Sequence, residues 1–228
     1  MRVHVAFTPA EVASAPTGVV VDVVRATSSI AQALASGYER VLCCREIDEA
    51  RALRAELGAD AVVGGEREAV VVDGFDVGAS PREFAAAPRA RTLILTTTNG
   101  TAAILTAAAT CDRVLLGSLL NLGAVARAVE ADVTIVCAGF KGTFAFDDAY
   151  CAGRLVAALG GERTDAAKAA ELLARAYPEP LAGLNARTYG PPGLEADIEF
   201  CARVDALEVV PRFSRLVGTA AEIVAAAL

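Results

Sequence analysis

The stretch VVVDVVRATSSIAQALASGYERVLCC, residues 19–44, decides the fold. Val19–Val24 is an apolar, β-branched run broken only by Asp22, and a run of that length and composition is a buried strand. The alanine-rich segment from Ser28 to Ser36 has helical spacing. Arg40–Cys44 is apolar again, so the stretch reads strand, helix, strand: a βαβ unit. LILTTTNGTAAILTAAATCDRVLLGS, residues 93–118, repeats the order and aligns Asp22 with Thr96, Arg25 with Asn99 and Thr27 with Thr101. This is either a duplicated half-domain or two independent units with one pattern, and two copies are too few for a solenoid.

Working outward, the same logic predicts strands at Val3–Phe7, Gly18–Val23, Arg40–Cys44, Ala61–Gly64, Arg91–Thr96, Arg113–Gly117 and Asp132–Ala138. Helices are predicted at Ser28–Ser36, Ile47–Leu57, Pro81–Ala86, Gly100–Ala109, Leu122–Glu130, Asp147–Leu159 and Asp165–Ala176. Gly65–Ser80 and the Pro- and Gly-rich Tyr177–Gly193 read as irregular, and long loops in compact domains are often functional. Beyond Leu194 the pattern predicts a helix-like piece to Val204, a strand end at Val209-Val210-Pro211 and a last helix through Leu228. The expected fold is three-layer α/β/α with a mostly parallel or mixed sheet. Residues 1–228 form a single domain, or two similar halves meeting at a cleft. The alanine-rich Ala220–Leu228 is apolar enough to pack on a partner subunit as a homodimer, or to cover its own core.

A net charge of −7 argues against nonspecific nucleic-acid binding, which needs a basic face. No apolar stretch reaches the length of a membrane span. The start, MRVHVAFTPAEV, lacks the apolar centre of a signal peptide, so the expected location is cytoplasmic. The six cysteines form no CxxC pair, which excludes a zinc ribbon or a thioredoxin site.

Three turns concentrate the polar chemistry. Each follows a predicted strand and opens a helix, where unpaired backbone N–H groups favour an anion. The first carries Asp22, Arg25, Thr27 and Ser28, the second Thr96 through Asn99-Gly100-Thr101, and the third Lys141-Gly142-Thr143 ahead of Asp147-Asp148. In open α/β sheets ligands bind at such carboxyl ends. A carboxylate inside an apolar strand, as at Asp22, is costly unless paired or bound to metal. Arg25 suits pairing with Asp22 or a bidentate grip on an anion. Asn99 also reads as a plain helix cap, and Asp147-Asp148 as ordinary helix-start acids or as oxygen ligands for a hard cation such as Mg²⁺. Glu66, Asp76 and Asp197 are weaker candidates, each equally readable as solvated loop charge.

Spacing excludes several phosphate chemistries. No cysteine is followed by Arg in the Cys-x5-Arg pattern, and Asp22 is followed by Val23-Val24 rather than the Asp-x-Asp of haloacid-type phosphatases. His4 is the only histidine, which disfavours a phosphohistidine or a Ser-His-Asp triad. Walker and GxGxxG patterns are absent. Metal-assisted attack by water, with Arg, Lys and backbone N–H groups stabilising charge, remains.

In order along the chain, Asp22-Val23-Val24-Arg25-Ala26-Thr27-Ser28-Ser29-Ile30, Gly65-Glu66, Gly74-Phe75-Asp76-Val77-Gly78-Ala79-Ser80-Pro81, Thr97-Thr98-Asn99-Gly100-Thr101, Ala138-Gly139 through Asp147-Asp148 with Cys151-Ala152-Gly153, and Asp197-Ile198 with Cys201 and Asp205 resemble the 2-phosphosulfolactate phosphatases. The resemblance spans about residues 1–212, with Ala79 where the family pattern leads one to expect Asn. It implies a Mg²⁺-dependent phosphatase, associated with coenzyme M biosynthesis, acting on a small anionic phosphorylated hydroxy acid. On that reading Arg25, Thr27 and Ser28 hold one end of the substrate, and Asn99, Gly100, Thr101 and Lys141 the other, with Ser80 also in contact. Asp22, Glu66, Asp147 and Asp148 supply metal ligands or position the water, and the attacking group is either water or Asp22. The rival is a binding module for an anionic metabolite on the same scaffold. Crowded carboxylates speak against it, because they repel an anion unless a cation intervenes. A sugar-phosphate isomerase ranks last, for want of a convincing base.

Overall fold

The computed structural model describes residues 1–226. The chain runs β1 (Arg2–Ala6), β2 (Thr17–Val21), α1 (Ala26–Ala35), β3 (Arg40–Cys44), α2 (Ile47–Leu57), β4 (Ala61–Arg67), β5 (Val70–Val71), β6 (Thr92–Thr96), α3 (Gly100–Thr110) and β7 (Arg113–Gly117). It continues with α4 (Leu122–Ala128), β8 (Val133–Cys137), α5 (Phe146–Ala158), β9 (Glu162–Arg163), α6 (Asp165–Ala176), α7 (Pro180–Asn185), α8 (Glu195–Cys201), β10 (Pro211–Val217) and β11 (Ala220–Ala225). The alternation read from the apolar runs holds through α5, and the α/β class with it.

These strands form one sheet in the order β5-β4-β6-β3-β11-β10-β7-β2-β8-β1-β9. Within the block β4, β6, β3 all pairs are parallel, and so are those within β7, β2, β8, β1, β9. Between the blocks stands the hairpin β10–β11, antiparallel internally and to β7 and β3. Three antiparallel steps reverse the sense, so the two parallel blocks run in opposite directions.

Strand alternation sorts the core. Val19 and Val21 point to one face with Val125, Leu155 and Ala170 of α4, α5 and α6. Val20 points to the other with Ile30 and Leu34 of α1 and Ile104 of α3, and that cluster also takes Val41, Cys43, Leu93 and Leu95 from the opposite block. Leu42, Cys44 and Ile94 face away, toward Ala50 of α2. Helices α1 and α3 therefore lie on the one face common to both blocks. The five steps from β2 to β6 accumulate roughly 100–125° of twist at about 20–25° each. That rotation swings the oppositely running blocks toward each other across α1 and α3, and the turn after β2 meets the turn after β6.

The C-terminus corrects the helix expected through Leu228, whose last two residues lie outside the described range. Alanine favours helix intrinsically, but tertiary packing overrides it here. Ala220, Ala221 and Ile223 are wholly buried between β10 and β3. Gly218-Thr219 makes the two-residue turn, with Gly218 at φ +60°. Of the stretch considered for a homodimer, Ala220–Ile223 are spent inside the sheet. Two smaller corrections concern the segments read as irregular. Gly65–Ser80 contains the end of β4 and the short β5, and Tyr177–Gly193 contains α7. The helix expected at Pro81–Ala86 is a single 3-10 turn, Pro81–Phe84, capped by Ser80. Among the described residues no helix is long and apolar enough to cross a membrane.

Candidate active site

The turns after β2, β6 and β8 open into one cleft, with the β4–β5 tip and the 187–191 loop completing its walls. Asp22 lies at its base. The backbone carbonyl of Asp22 accepts from Thr27 N at 2.9 Å, and its carboxylate Oδ1 accepts from Ala26 N at 3.3 Å, so Asp22 itself caps α1. Its other oxygen, Oδ2, has no hydrogen-bond partner. Among the described residues no fully buried side-chain N or O lacks one, so Oδ2 opens to the cleft. Burial, and then the neighbouring Asp147 and Glu66 carboxylates, push the Asp22 carboxyl up to about 7, against the Ala26 hydrogen bond and Arg25. The closeness of the α1 and α3 starts requires Gly100: a Cβ there would strike the Ala26 side chain and come within 2.7 Å of Asp22 Oδ2.

Asp147 and Asp148 open α5, yet they do different things. Asp148 is a staple, Oδ1 accepting from Val23 N at 2.9 Å and Oδ2 from Gly139 N at 3.0 Å, which ties the end of β2 to that of β8. Burial, Asp147 and Asp22 raise its pKa well above the ordinary aspartate range. Asp147 faces the cleft. Arg187 Nη1 donates to its Oδ2 at 3.3 Å and Tyr189 Oη to its Oδ1 at 3.4 Å, while Tyr189 Oη accepts from Phe146 N at 2.7 Å. Burial raises the Asp147 carboxyl, and the Arg187 guanidinium counters only part of that.

The rim is cross-braced. Glu66 Oε1 accepts from Thr98 N and Thr98 Oγ1, both at 2.9 Å, and its Oε2 from Ala69 N at 2.7 Å. Asn99 does not cap α3. Thr97 Oγ1 does, accepting from Thr101 N at 3.3 Å, while Asn99 Oδ1 accepts from Lys141 N at 3.2 Å across the cleft. Arg25 lines the cleft and is held by Asp197 Oδ2 at 2.8 Å; Ser80 Oγ donates to Asp197 Oδ1 at 2.5 Å.

Of the residues singled out from sequence, Asp22, Arg25, Glu66, Asn99, Lys141, Asp147 and Asp148 all line this cleft. The hydroxyls of Thr27, Ser28 and Thr101 do not. Thr27 Oγ1 donates to Asp22 O, Ser28 Oγ to Val23 O, and Thr101 Oγ1 pairs with Thr97 Oγ1; all three residues are buried. They hold the turns in shape. Gly100 contributes close approach rather than a contact, and Ser80 lines an adjoining hollow with Arg25 and Asp197. Asp76 braces β4 through Val63 N at 2.9 Å, away from the cleft. Sequence reasoning missed Arg187 and Tyr189. Their signal was only that the Pro- and Gly-rich loop carrying them was long. The expectation that helix N-termini hold the anion also changes, because Asp22 takes up the N–H of Ala26. The cleft's positive charge comes from Arg25, Arg187 and Lys141.

The fit of a divalent cation can be judged from the donors. Among the described residues no three carboxylate, His or Cys side chains make a ready metal cage. Mg²⁺ asks for less, one or two carboxylates with water and substrate phosphate completing the shell. Asp22 and Asp147 are hard oxygen donors in the same cleft, and Asp147 raises the cost of ionising Asp22, which suits a cation placed between them.

Fold and cleft together define an α/β protein with a cation-lined cleft at strand ends, beside buried carboxylates. A family model described as 2-phosphosulpholactate phosphatase matches residues 5–215, and the chain belongs to that family. It is similar to a probable 2-phosphosulfolactate phosphatase of Thermus thermophilus, 40% identical over 96% of this chain and 98% of the relative. It is likewise similar to probable 2-phosphosulfolactate phosphatases of Clostridium acetobutylicum, at 38% over 87% and 89%, and of Pseudothermotoga lettingae, at 37% over 92% and 95%.

Proposed function

We propose that the protein is a phosphoric monoester hydrolase that uses Mg²⁺ to convert 2-phosphosulfolactate to sulfolactate and phosphate. The observation that carries this reading is the unpartnered Asp22 Oδ2, open beside Asp147 to a cleft ringed by Arg25, Arg187 and Lys141. A metabolite sensor needs the cations but has no use for two crowded carboxylates at the base. On this reading Asp22 and Asp147 hold the cation, which when bound polarises the phosphoryl oxygens and lowers the pKa of its water. Asp197 aims the Arg25 guanidinium, and Tyr189 with Asp147 aims that of Arg187, so both donors are placed before the substrate arrives. Lys141 meets the substrate from the mouth. Asp148 and Glu66 fix the loops that carry these groups. The cytoplasm and the coenzyme M route are the setting that the family resemblance implies.

The test is phosphate release from 2-phosphosulfolactate by the purified protein. EDTA should abolish release and added Mg²⁺ restore it. Full activity in EDTA would remove the cation from the reading, and no release with Mg²⁺ present would remove the phosphatase.

A further inference from the structure

Three cations face the cleft and each has an acidic partner: Arg25 with Asp197, Arg187 with Asp147, and Lys141 with Glu68. The pairs are not equivalent. The Asp197 and Asp147 side chains are only 7% and 6% exposed. Drawing an arginine away would strand a buried charge, which is strongly unfavourable. The Glu68 side chain is 71% exposed and that of Lys141 55%. When these two part, Glu68 passes into water, and exposed pairs lose little on opening. Lys141 is therefore the cation that an arriving anion can recruit most cheaply.

The backbone places this pair at a particular point. Arg67 and Val70 close a turn with Glu68 and Ala69 at its tip, at φ +53° and +64°. Phe140 and Thr143 exchange backbone hydrogen bonds of 2.9 and 3.0 Å across Lys141 and Gly142, at φ +50° and +80°. Both turns have left-handed central residues, as tight hairpins do, and they meet tip to tip over the cleft. The first turn is held at its base by Glu66 to Thr98, and the second at its tip by Lys141 N to Asn99. Among the described residues the link between the tips is Lys141 Nζ to Glu68 Oε1, at 2.6 Å.

We propose that Glu68 is a specificity-determining residue. In the free protein its carboxylate holds Lys141 where the outermost anionic group of the substrate, the sulfonate of phosphosulfolactate, sits on binding. This rests on the phosphatase reading above. A substrate without that group leaves the Glu68–Lys141 pair closed and gains nothing from Lys141. One with it exchanges one exposed ion pair for another.

The experiment compares phosphosulfolactate with phospholactate, which lacks the sulfonate, in wild type, Glu68→Gln and Lys141→Gln. Glu68→Gln should lower KM for phosphosulfolactate about two- to fivefold, the size of one exposed ion pair. Its kcat and its KM for phospholactate should stay unchanged. Lys141→Gln should raise KM for phosphosulfolactate more than for phospholactate. Equal shifts for both esters in Glu68→Gln would mean diffuse repulsion, and a raised KM would mean that Glu68 supports Lys141; either overturns the proposal, as does no shift. If wild type hydrolyses neither ester, the phosphatase reading falls separately. Calorimetric titration with sulfolactate and lactate then decides Glu68, with tightening for sulfolactate alone in Glu68→Gln supporting the exchange and equal affinities overturning it.

Discussion

Asp22 sits where no stability argument would put it. A carboxylate largely withdrawn from water beside two others costs the fold, and the cost depends on pH in a definite direction. Its pKa is about 7 in the folded protein and ordinarily 3.8. A carboxyl raised on folding stabilises fully below its unfolded value, and that contribution is lost as pH rises through the folded one. Asp22→Asn should therefore raise the thermal midpoint of the cation-free protein at pH 8, and raise it less at pH 6. The same change should lower kcat/KM by about two to three orders of magnitude, the usual loss when a charge-stabilising group is removed. A near-normal rate in Asp22→Asn would take Asp22 out of the centre of the mechanism. Mg²⁺ should raise the wild-type midpoint more at pH 8 than at pH 6, and should do little for Asp22→Asn. At this scale the sequence was legible where a residue broke a pattern, as a charge in a β-branched run does at Asp22. The hydroxyls of Thr27, Ser28 and Thr101 brace their turns, which the sequence does not distinguish from meeting a ligand, because the two look alike until the partner is seen. Arg187 and Tyr189 broke no pattern, because their loop has none.

Among the elements, the facing starts of α1 and α3 matter most to the site. Both helices pack on the face shared by the two strand blocks, and their N-terminal turns approach so closely that only a glycine fits at position 100. Gly100→Ala sets a methyl against the backbone-fixed Ala26 side chain, and overpacking of this kind typically costs about 1–3 kcal/mol. The expected result is a lower midpoint in urea together with a loss of kcat, because the displaced neighbour is Asp22. Gly142→Ala is the comparison. No atom lies within 4 Å of the added carbon there, so strain from its φ of +80° is the only penalty, and Asp22 is untouched. If Gly100→Ala kept full activity, the close approach would be packing without consequence for the site. Helix and strand alternation was readable because apolar period and length agreed over most elements. It failed at the C-terminus, where Ala220–Ala225 carries helix-forming residues on a strand. The turn Gly218-Thr219, set between two apolar runs, was the local sign of a hairpin.

On the scale of the whole molecule that hairpin sets the topology. It joins two parallel blocks of opposite direction, and no local pattern encodes which strands a C-terminal hairpin will separate. It also buries one charge at the join. Glu222 of β11 is 6% exposed, and it receives Arg40 from β3 at 3.1 Å and Arg215 from β10 at 2.9 Å. Burial alone would raise the Glu222 carboxyl. The hydrogen bonds from Arg215 and Arg40 outweigh it and hold the pKa below the ordinary 4.5. A carboxyl lowered on folding contributes stability that is present above its unfolded value and lost as pH falls through the folded one. The bridge across the two blocks should thus be intact at neutral pH and fail in acid, below about 4.5. Glu222→Gln removes the charge but keeps the shape. It should lower the urea midpoint at pH 7, and its midpoint should fall less steeply than that of wild type between pH 5 and pH 3. The difference between the two curves isolates Glu222, because Asp22 and the other cleft carboxylates lie elsewhere and titrate in both proteins. Parallel curves would show that the arginines at the join stabilise by packing their stems and not by their charge.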